Sequence, residues 1–406
     1  MPTFLDTGKN YKWFVPTNII FGSGAINQLA DNLPECTNIL IVTSNGQSAK
    51  KSGALDKVIA QIQDMVAGED EEGNEVKIEY TIFNEIEPNP LKDTVMRGAQ
   101  VAREKGCDLV LAIGGGSVMD AAKAICTMAT NDGDLWDYVA FGTGKKQEPE
   151  YLGLPLVCVT LTSGTGSESD TGAVITNPET NEKTAFFGEF PMLAICDPDL
   201  TKSVSPQFTA FQGFDALFHS TEVFIANSAN LASDMVAKEA IRNIGGFLAR
   251  AVKDGNDQEA RERVAFASSL SSFSMNFGTC TSEHSLEHAL SAYHQALPHG
   301  AGLIMISVAY YTHFIEKGAC PDRFIKMAKL LGNKDASEPM DFIVELKKLQ
   351  EDCGVADLKM SDYGITPDEF EKMAKNAMDC MGLLFPYDRV QLSVEDCVKI
   401  YQQSYK

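Results

Sequence analysis

The sequence predicts two domains of different fold class, an α/β domain with a parallel sheet over residues 1–203 and an all-helical domain over residues 204–406. Three observations lead to this prediction. The chain of 406 residues is long for one domain and suits two. Its first half alternates short apolar runs with helical stretches, whereas long helical periodicities take over in its second half. The change in pattern lies between residues 199 and 207.

The strands of the first domain are predicted from near-continuous apolar runs. These runs occupy residues 38–44, 77–83, 108–115 and 154–161. Because they do not alternate between apolar and polar positions, both faces of each strand are expected to be buried. Helical stretches lie between the runs. The pattern therefore predicts a parallel sheet with helices on both faces.

The helices are predicted from their periodicity and their end signals. Residues 52–66 form a predicted helix with Ser52 as its N-cap. Residues 90–106 begin with proline and end with glycine, as helices often do. The acidic segment 67–76 between these helices is expected to be a solvated hairpin or loop. In the second half, helical periodicity covers residues 211–226, 230–253, 257–274 and 321–331.

Composition narrows the classes of partner. The net charge of -22 predicts an acidic surface that repels phosphate backbones, so no nucleic-acid partner is expected. The ten cysteines include no C-x-x-C pair, which argues against a disulfide framework and a cysteine-ligated zinc. Residues 1–14 lack the features of a signal peptide, and no apolar run approaches the ~20 residues of a membrane span. We therefore expect a cytoplasmic protein with no membrane partner.

A glycine-rich turn follows the third predicted strand, in LAIGGGSVMDAAKAI at residues 111–125. Glycines let the backbone approach a ligand closely, and N–H groups at a helix N-terminus bind phosphate oxygens. Gly114, Gly115, Gly116 and Ser117 would therefore hold a pyrophosphate. The pattern is neither G-x-G-x-x-G nor a Walker loop. The alternative is a tight turn without a ligand.

A second loop, TLTSGTGSESD at residues 160–170, follows the fourth predicted strand. Its hydroxyl groups suit hydrogen bonds to phosphate, ribose or a carboxamide, and the alternative is a serine-rich surface loop. It lacks the G-x-S-x-G pattern of a hydrolase nucleophile. Because ligands bind beyond the carboxyl ends of parallel strands, two such loops at successive strand ends support each other.

Four of the six histidines lie in SEHSLEHALSAYHQALPHG at residues 282–300. Two pairs with a spacing of four residues, together with one further histidine, make up the candidate metal ligands. These are Asp215 with His219, His284 with His288, and His299. A spacing of four places each pair on one face of a helix. The residues suit a borderline divalent metal, and the alternative is that the histidines are satisfied core residues.

The same stretch is compatible with more than one function. HSLEH matches the H-x-x-E-H pattern of a zinc peptidase class, in which Glu287 would activate water. That interpretation leaves the glycine turns and Asp215 unexplained. A hydride-transfer enzyme would use both halves of the chain, with a nucleotide bound on the sheet and a metal bound on the helical domain. A non-catalytic nucleotide-binding or metal-storage protein is the third alternative.

The chain resembles the iron-containing (group III) alcohol dehydrogenases over nearly its whole length. GGGSVMDAAK is similar to the family's G-G-G-S-x-x-D-x-A-K cofactor loop, and TLTSGTGSE to its P-T-T-x-G-T-G-S-E loop. FDALFH resembles the D-A-x-x-H metal pair, and residues 282–300 resemble the H-x-x-x-H and P-H-G region. VPTNIIFGSGA, EPNP and DPDLT are similar to the first strand, the P-N-P turn and the D-P-x-L stretch. It looks like the members of the butanol dehydrogenase and lactaldehyde reductase type.

The resemblance implies the dehydroquinate synthase-like fold, which is a Rossmann-like nucleotide-binding domain followed by an all-α metal-binding domain. It implies a metal-dependent alcohol dehydrogenase or aldehyde reductase and a homodimer. The implied Fe²⁺ ligands are Asp215, His219, His284 and His299. Such ligands also accept Zn²⁺, Mn²⁺, Co²⁺ or Ni²⁺ in an isolated protein.

The resemblance also implies roles around the cofactor. His288 matches a histidine near the substrate and the nicotinamide and is the candidate for relaying a proton, while Glu287 becomes an ordinary helix residue. Lys183 matches a lysine that contacts the nicotinamide ribose, and Leu200 a residue that packs near the cofactor. The other implied cofactor positions are Asn89, Gly115, Gly116, Ser117, Asp120, Thr160, Thr162 and Thr165.

The sequence departs from the family pattern at two places. Thr160-Leu161-Thr162 stands where the family often has Pro-Thr-Thr. His299 follows His284 by fifteen residues, one more than in several relatives. The turn before His299 must accommodate this extra residue.

Selection of the cofactor is predicted from the end of the first strand run, at residues 43–48. NAD-binding proteins usually place a carboxylate there to hold the ribose diol, and this segment has none. Ser44, Asn45 and Ser48 could instead bind a 2′-phosphate, with Lys50 or Lys51 nearby. NADP(H) is therefore favoured, with NAD(H) as the alternative. A short-chain alcohol or aldehyde is the expected substrate, with Phe141, Phe186 and Phe273 as candidate pocket residues.

Overall fold

A six-stranded parallel sheet organises the first half of the chain in the computed structural model, which describes residues 11–406. The strands are, in chain order, β1 Asn18–Phe21, β2 Asn38–Ser44, β3 Val66–Glu69, β4 Glu75–Lys77, β5 Glu79–Ile86, β6 Leu109–Gly114, β7 Leu156–Thr160, β8 Gly172–Asn177, β9 Glu182–Phe187 and β10 Leu193–Cys196. The sheet has the order β1-β10-β7-β6-β2-β5. Two antiparallel hairpins, β3–β4 and β8–β9, lie outside it.

Helices flank the sheet and make up most of the second half. The α-helices are, in chain order, α1 Leu29–Asn32, α2 Ser48–Lys51, α3 Ala54–Asp64, α4 Lys92–Lys105, α5 Gly116–Thr130, α6 Leu135–Tyr138, α7 Pro206–Ile225, α8 Leu231–Lys253, α9 Gln258–Phe277, α10 Glu283–Tyr293, α11 His299–Glu316, α12 Pro321–Leu331, α13 Asp341–Asp352, α14 Phe370–Cys380 and α15 Val394–Ser404. From α7 onward the described chain contains no strand. The predicted fold class is confirmed.

Both faces of the parallel sheet are buried. Leu40 and Val42 of β2 belong to the apolar core beneath α4 and α5. Ile39 and Ile41 belong to the core beneath α3 on the opposite face. Near-continuous apolar strands are therefore explained by helices on both sides, as the sequence predicted.

The strand order places a crevice above β2 and β6. From β2 the chain crosses to β5 at one edge, then returns to β6 and continues through β7 and β10 toward the other edge. The direction of winding therefore reverses between β2 and β6. Ligands of open α/β sheets bind beyond the carboxyl ends of the strands at such a reversal. The glycine turn after Gly114 lies at this position.

The long helix α7 carries part of the site into the interior. Its first turn is fixed by the side chain of Ser205, which accepts a hydrogen bond from the Phe208 N–H, and by Pro206 at the first helical position. Most of its later residues are buried in the large apolar core of the helical domain. A polar residue on this helix therefore faces protein and needs polar partners.

Several local predictions were adjusted by the structure. The acidic segment forms the hairpin β3–β4, as expected. The N-cap of α3 is Gly53, with φ of 75°, and not Ser52, because the chain turns through a left-handed conformation immediately before the helix. The hairpin β8–β9 was not predicted. The change from sheet to long helices falls between Cys196 and Pro206, and the domain limits at residues 203 and 204 stay a prediction.

No helix in residues 11–406 is both long enough and apolar enough to cross a membrane. The expectation that a signal peptide is absent rests partly on residues 1–10, which lie outside the described residues.

Candidate active site and metal centre

The candidate metal ligands meet where three helices converge. α7 carries Asp215 and His219 one turn apart. α10 carries His284 and His288 in the same way, and His299 is the first residue of α11. Ligand atoms of Asp215, His284 and His299 all lie within 4.8 Å of one another. Asp215 and His299 are 84 positions apart in the sequence, and the fold brings them together.

The distances within this cluster suit a shared metal ion. Oδ1 of Asp215 lies 3.5 Å from Nδ1 of His219, 3.4 Å from Nε2 of His284 and 3.5 Å from Nε2 of His299. These separations are long for hydrogen bonds. Each of the three is close to the edge, about 3.4 Å, of a tetrahedron whose metal–ligand bonds are about 2.1 Å. His219 is not among the residues whose ligand atoms all lie within 4.8 Å of one another, which are Asp215, His284 and His299. Nδ1 of His219 is buried and, among the described residues, has no hydrogen-bond partner.

The pKa values in the cluster are displaced in opposite directions. Burial would raise the pKa of Asp215, but its electrostatic contacts with His219, His284 and His299 hold it well below its usual range. Burial lowers the pKa of His219 to about 3. Burial also opposes charge on His284, yet the carboxylates of Glu222 and Asp215 outweigh it and raise that pKa to about 10. Opposed shifts in one small cluster are typical of functional sites.

Two further carboxylates lie behind the histidine rings. Nδ1–H of His284 donates to Glu222, and Nδ1–H of His299 donates to Glu287. Both glutamates are fully buried. The engaged Nδ1 leaves Nε2 of each ring on the side of Asp215. Glu287 is therefore not an ordinary helix residue, because a fully buried carboxylate needs specific partners and here has them.

His288 and Lys183 lie next to this cluster and face the cleft. His288 is 4% exposed, and its Nδ1 has no hydrogen-bond partner in the described part of the chain. Burial, reinforced by the charge of Lys183, holds its pKa well below the usual value. The ring is therefore neutral and has a nitrogen free to accept a proton. Lys183 Nζ donates to Asn89 Oδ1 at 3.0 Å and to Ser291 Oγ at 2.8 Å.

The turn between α10 and α11 brings His299 to the cluster. Within it, the N–H of Leu297 donates to the carbonyl of His294 at 2.8 Å. Asn89, which has a left-handed φ of 54°, donates its Nδ2 to the carbonyls of Gln295 and Leu297 at 3.1 and 3.4 Å. A strained non-glycine backbone is thus used to fasten the first domain to the turn that positions His299.

One cleft of about 510 Å³ joins the two domains. The predicted site residues that line it are Asn89, Gly116, Ser117, Asp120, Thr165, Lys183, His219, His284, His288 and His299. An apolar wall is formed by Phe187, Met275, Met381, Leu383 and Leu384. The cleft is therefore polar at the metal cluster and apolar beside it.

The phenylalanines proposed as pocket residues do not form this wall. Phe186 is buried in the core beneath the sheet, and Phe273 packs against the core of the helical domain. Phe141 precedes Gly142 in the loop after α6, away from the cleft lining. For Phe186 the reason is that β8–β9 was not recognised: strand alternation turns Phe187 toward the cleft and Phe186 away from it.

The glycine turn leaves the N-terminus of α5 open to a ligand. Gly115 is the N-cap, and no side chain caps the helix. The first N–H groups of α5 are therefore left for phosphate oxygens. A Cβ on Gly115 would lie 2.7 Å from Cγ2 of Thr162, and one on Gly116 would overlap Thr165. The two predicted loops pack so closely that only glycine fits between them.

Asp120 has an internal role in this arrangement. Its Oδ1 accepts from the hydroxyl of Ser167 at 2.6 Å, and its Oδ2 accepts from the N–H of Val174 at 2.8 Å. Lys123, which is also on α5 and is fully buried, donates to Ser167 Oγ at 2.8 Å and to Asp170 Oδ1 at 2.6 Å. These contacts fasten the second loop to α5. Both oxygens of Asp120 are thus engaged by the protein.

The remaining predicted cofactor residues lie outside the cleft lining. Ser44, Asn45 and Ser48 sit at the end of β2, where the hydroxyls of Ser44 and Ser48 are 3.1 Å apart. The hydroxyl of Thr160 donates to the carbonyl of Thr162 at 3.1 Å, within the loop itself. Leu200 is buried in the core behind the sheet.

Glu222 was missed at the sequence level. It follows His219 by three residues on α7, a helix whose other residues from Gly213 onward are all buried, so an acid in a buried helix was the available signal. Its partner His284 is 62 positions away, which no local pattern reveals.

Comparison with known proteins gives two matches that together span most of the chain. The model described as iron-containing alcohol dehydrogenase matches residues 16–198. The model described as the C-terminal part of the Fe-containing alcohol dehydrogenase family matches residues 209–405. The chain belongs to the iron-containing alcohol dehydrogenase family. The predicted resemblance is confirmed.

Individual relatives agree with this membership. A 1,3-propanediol dehydrogenase from Klebsiella pneumoniae is 32% identical, with 91% of this chain and 93% of the relative covered. An NADH-dependent butanol dehydrogenase B from Clostridium acetobutylicum is 30% identical, with 92% and 94% covered. The crystal structure of an archaeal halo-thermophilic alcohol dehydrogenase from a Red Sea brine pool superimposes with a TM-score of 0.90 at 31% identity, covering 98% of this chain and 100% of that one.

This iron-containing alcohol dehydrogenase is thus a metal-dependent oxidoreductase of alcohols and aldehydes that uses iron and a nicotinamide cofactor. Neither the peptidase nor the non-catalytic alternative is supported. The preference for NADP(H) is not supported by the named relatives, of which the butanol dehydrogenase is NADH-dependent.

Proposed function

We propose that this protein transfers a hydride between a nicotinamide cofactor and a short-chain primary alcohol or aldehyde in the cleft between its domains. The observation that carries the proposal is that one cavity reaches both sites. It is lined by Ser117, at the N-terminus of α5, and by His288, beside the metal cluster. The apolar wall fits an alkyl chain. In the oxidative direction the carbinol carbon gives a hydride to the nicotinamide and the hydroxyl loses a proton, which yields an aldehyde and the reduced cofactor.

The residues that would hold the iron are Asp215, His219, His284 and His299. A bound Fe²⁺ supplies positive charge that stabilises negative charge on the substrate oxygen. The buried glutamates hold the rings of His284 and His299 in position. The apolar wall excludes water, which strengthens electrostatic interactions inside the cleft.

We assign His288 the transfer of the hydroxyl proton. Its neutral ring and unpartnered Nδ1 support this role. His288→Ala is expected to lower kcat by about 10²-fold, the usual contribution of a positioned acid or base, while iron content stays at the wild-type level. Iron determination beside steady-state kinetics checks this. Unchanged turnover would remove His288 from the mechanism.

The whole proposal is tested by following oxidation of NADH and NADPH with butanal. Wild-type protein is compared after loading with Fe²⁺ and after removal of metal by a chelator. We expect turnover that depends on the metal. Metal-replete protein that turns over no short aldehyde with either cofactor contradicts the proposal.

We further propose that NADPH is preferred over NADH. The support is the segment after β2, where Ser44, Asn45 and Ser48 provide hydrogen-bonding groups and no carboxylate opposes a 2′-phosphate. The ratio of kcat/KM for NADPH to that for NADH decides the matter, and a ratio below one rejects the preference. Ser44→Asp should shift the ratio toward NADH, because a carboxylate there repels the 2′-phosphate and accepts from a ribose diol.

We also propose that the protein is a homodimer and that it is located in the cytoplasm. β1 is an edge strand of the sheet, and an exposed edge is suited to pairing with a second chain. All ten cysteines are free thiols, as in a reducing compartment. Light scattering after size exclusion and cell fractionation test the two statements, and a monomer or a membrane-bound fraction would reject them.

A further inference from the structure

The carboxylate of Glu287 lies between the metal side and the cofactor side of the cleft. Its Oε2 accepts from Nδ1–H of His299, and the same oxygen is 3.5 Å from Nζ of Lys183. Lys183 also donates to Asn89 and Ser291, and it lines the cleft. One oxygen atom therefore contacts a candidate metal ligand and the lysine assigned to the cofactor.

The surrounding packing makes room for this carboxylate. Glu287 is fully buried, and a buried charge is costly unless it is paired. Gly302 on the facing helix α11 supplies the space, because a Cβ there would lie 2.7 Å from Cγ of Glu287 and 2.8 Å from its Oε1. The glutamate side chain therefore fills the space beside α11, and no residue larger than glycine fits at position 302 next to it.

Glu222 provides an internal comparison. It is also fully buried and accepts from Nδ1–H of the other ligand histidine of α10, His284. Its second contact is the hydroxyl of Thr281, at 3.2 Å, and not a lysine. The two glutamates therefore share the contact with a metal-ligating ring and differ in the contact with a cation on the cofactor side.

We propose that Glu287 is a positioning residue that holds both His299 for the metal and Lys183 for the cofactor. The inference rests on the proposed function, in which these two residues serve the metal and the nicotinamide. Carboxylates behind metal-bound histidines orient the ring, and their loss typically weakens metal binding 10- to 100-fold. At Glu287 that orienting contact is shared with the cofactor site, so one side chain aligns the two halves of the reaction.

The test measures binding and not turnover. Co²⁺ is titrated into metal-free protein and followed by its visible spectrum, and NADH and NADPH are titrated into metal-free protein by fluorescence. Glu287→Gln is expected to weaken Co²⁺ binding at least about tenfold, to change the bands of the Co²⁺ complex, and to weaken cofactor binding about fivefold. Glu222→Gln is expected to weaken Co²⁺ binding alone.

Glu369→Gln is the matched control, because Glu369 also pairs with a histidine, His294 at 3.0 Å, but at a distance from the cleft. It should leave both affinities within twofold of the wild type. Gly302→Ala, which crowds the Glu287 carboxylate without removing it, should weaken both affinities and serves if Glu287→Gln does not fold, as judged by circular dichroism.

Two outcomes overturn the inference. If Co²⁺ affinity and spectrum are unchanged in Glu287→Gln, the glutamate does not position His299. If cofactor affinity stays within twofold of the wild type while Co²⁺ binding weakens, it serves the metal alone. A wild-type protein that binds neither NADH nor NADPH would instead contradict the proposed function, so the two failures are distinguishable.

Discussion

The two domains build their halves of the cleft by opposite means. On the sheet side, the site depends on the absence of side chains, since a Cβ on Gly115 or Gly116 would collide with the neighbouring loop. On the helical side, it depends on ionisable side chains that are packed together and buried, with Asp215 at their centre. At these positions space limits substitution on the sheet side, and charge limits it on the helical side.

The largest effect is expected where charge is removed from the helical side. Asp215→Asn keeps the shape of the side chain but removes the only carboxylate among the four proposed ligands. We expect stoichiometric iron to be lost on dialysis and turnover to fall at least about 10³-fold, because an amide is a weaker ligand for Fe²⁺ than a carboxylate. Iron analysis and assay of the dialysed protein check this. Retention of one iron per chain would show that the site does not depend on this charge.

A smaller effect is expected where space is removed from the sheet side. The added Cβ of Gly115→Ala lies 2.7 Å from Cγ2 and 2.9 Å from Oγ1 of Thr162, so one of the two loops must shift. We expect the KM for the cofactor to rise about tenfold, a cost of about 1.4 kcal/mol, while iron content is unchanged.

The second substitution Thr162→Ala removes both crowding atoms. The double variant should therefore recover part of the lost cofactor affinity relative to Gly115→Ala. A double variant that is no better than the single one would mean that Gly115 serves the ligand contact itself and not the fit between the loops.

The same contrast explains which parts of the molecule could be predicted from the sequence. Glycine turns and residues spaced by four are local patterns, so the loop after β6 and the pair Asp215 and His219 were recognisable. The sheet and the long helices follow from the periodicity of apolar residues. The hairpin β8–β9 was missed because its strands lack the near-continuous apolar pattern of the main sheet, although Pro178 and Asn181 lie in the turn between them.

Roles that depend on distant partners could not be predicted. Asp120 matched a cofactor motif, yet both its oxygens bind groups about 50 positions away, at Ser167 and Val174. Glu287 matched a peptidase motif and was then predicted to be an ordinary helix residue, whereas its carboxylate contacts His299 and Lys183. In both cases the residue type was visible in the sequence, and the partner was set by the packing of other elements.

The buried charge of the helical domain also predicts a dependence of stability on pH. Asp388 is 1% exposed, and burial raises its pKa from 3.8 to about 7 against hydrogen bonds from Ser282. Because the folded-state pKa is raised, the folded protein holds the proton more tightly than the unfolded chain between these values. Stability therefore falls as pH rises from about 4 to about 7, by about 1.4 kcal/mol per pH unit for this one group.

Asp388→Asn should remove this contribution, since the amide stays neutral. The difference in unfolding free energy between the wild type and the variant is measured by denaturant titration at pH 5 and pH 6. It should change by about 1 kcal/mol in favour of the variant at the higher pH. A difference that is constant across this range would show that Asp388 ionises in the folded protein as it does in the unfolded chain.

The smallest effect is expected at two adjacent glycines of α8. Comparing them shows whether a glycine is required because no larger side chain fits. A Cβ on Gly245 would lie 2.8 Å from Cα of Leu331, whereas one on Gly246 meets no atom within 4 Å. Gly246→Ala should therefore stabilise the protein by about 0.5–1 kcal/mol, the helix propensity gained, and Gly245→Ala should destabilise it. Melting temperatures of the two variants check this. If both rise, α8 and α12 are less closely packed than the contact at Leu331 requires.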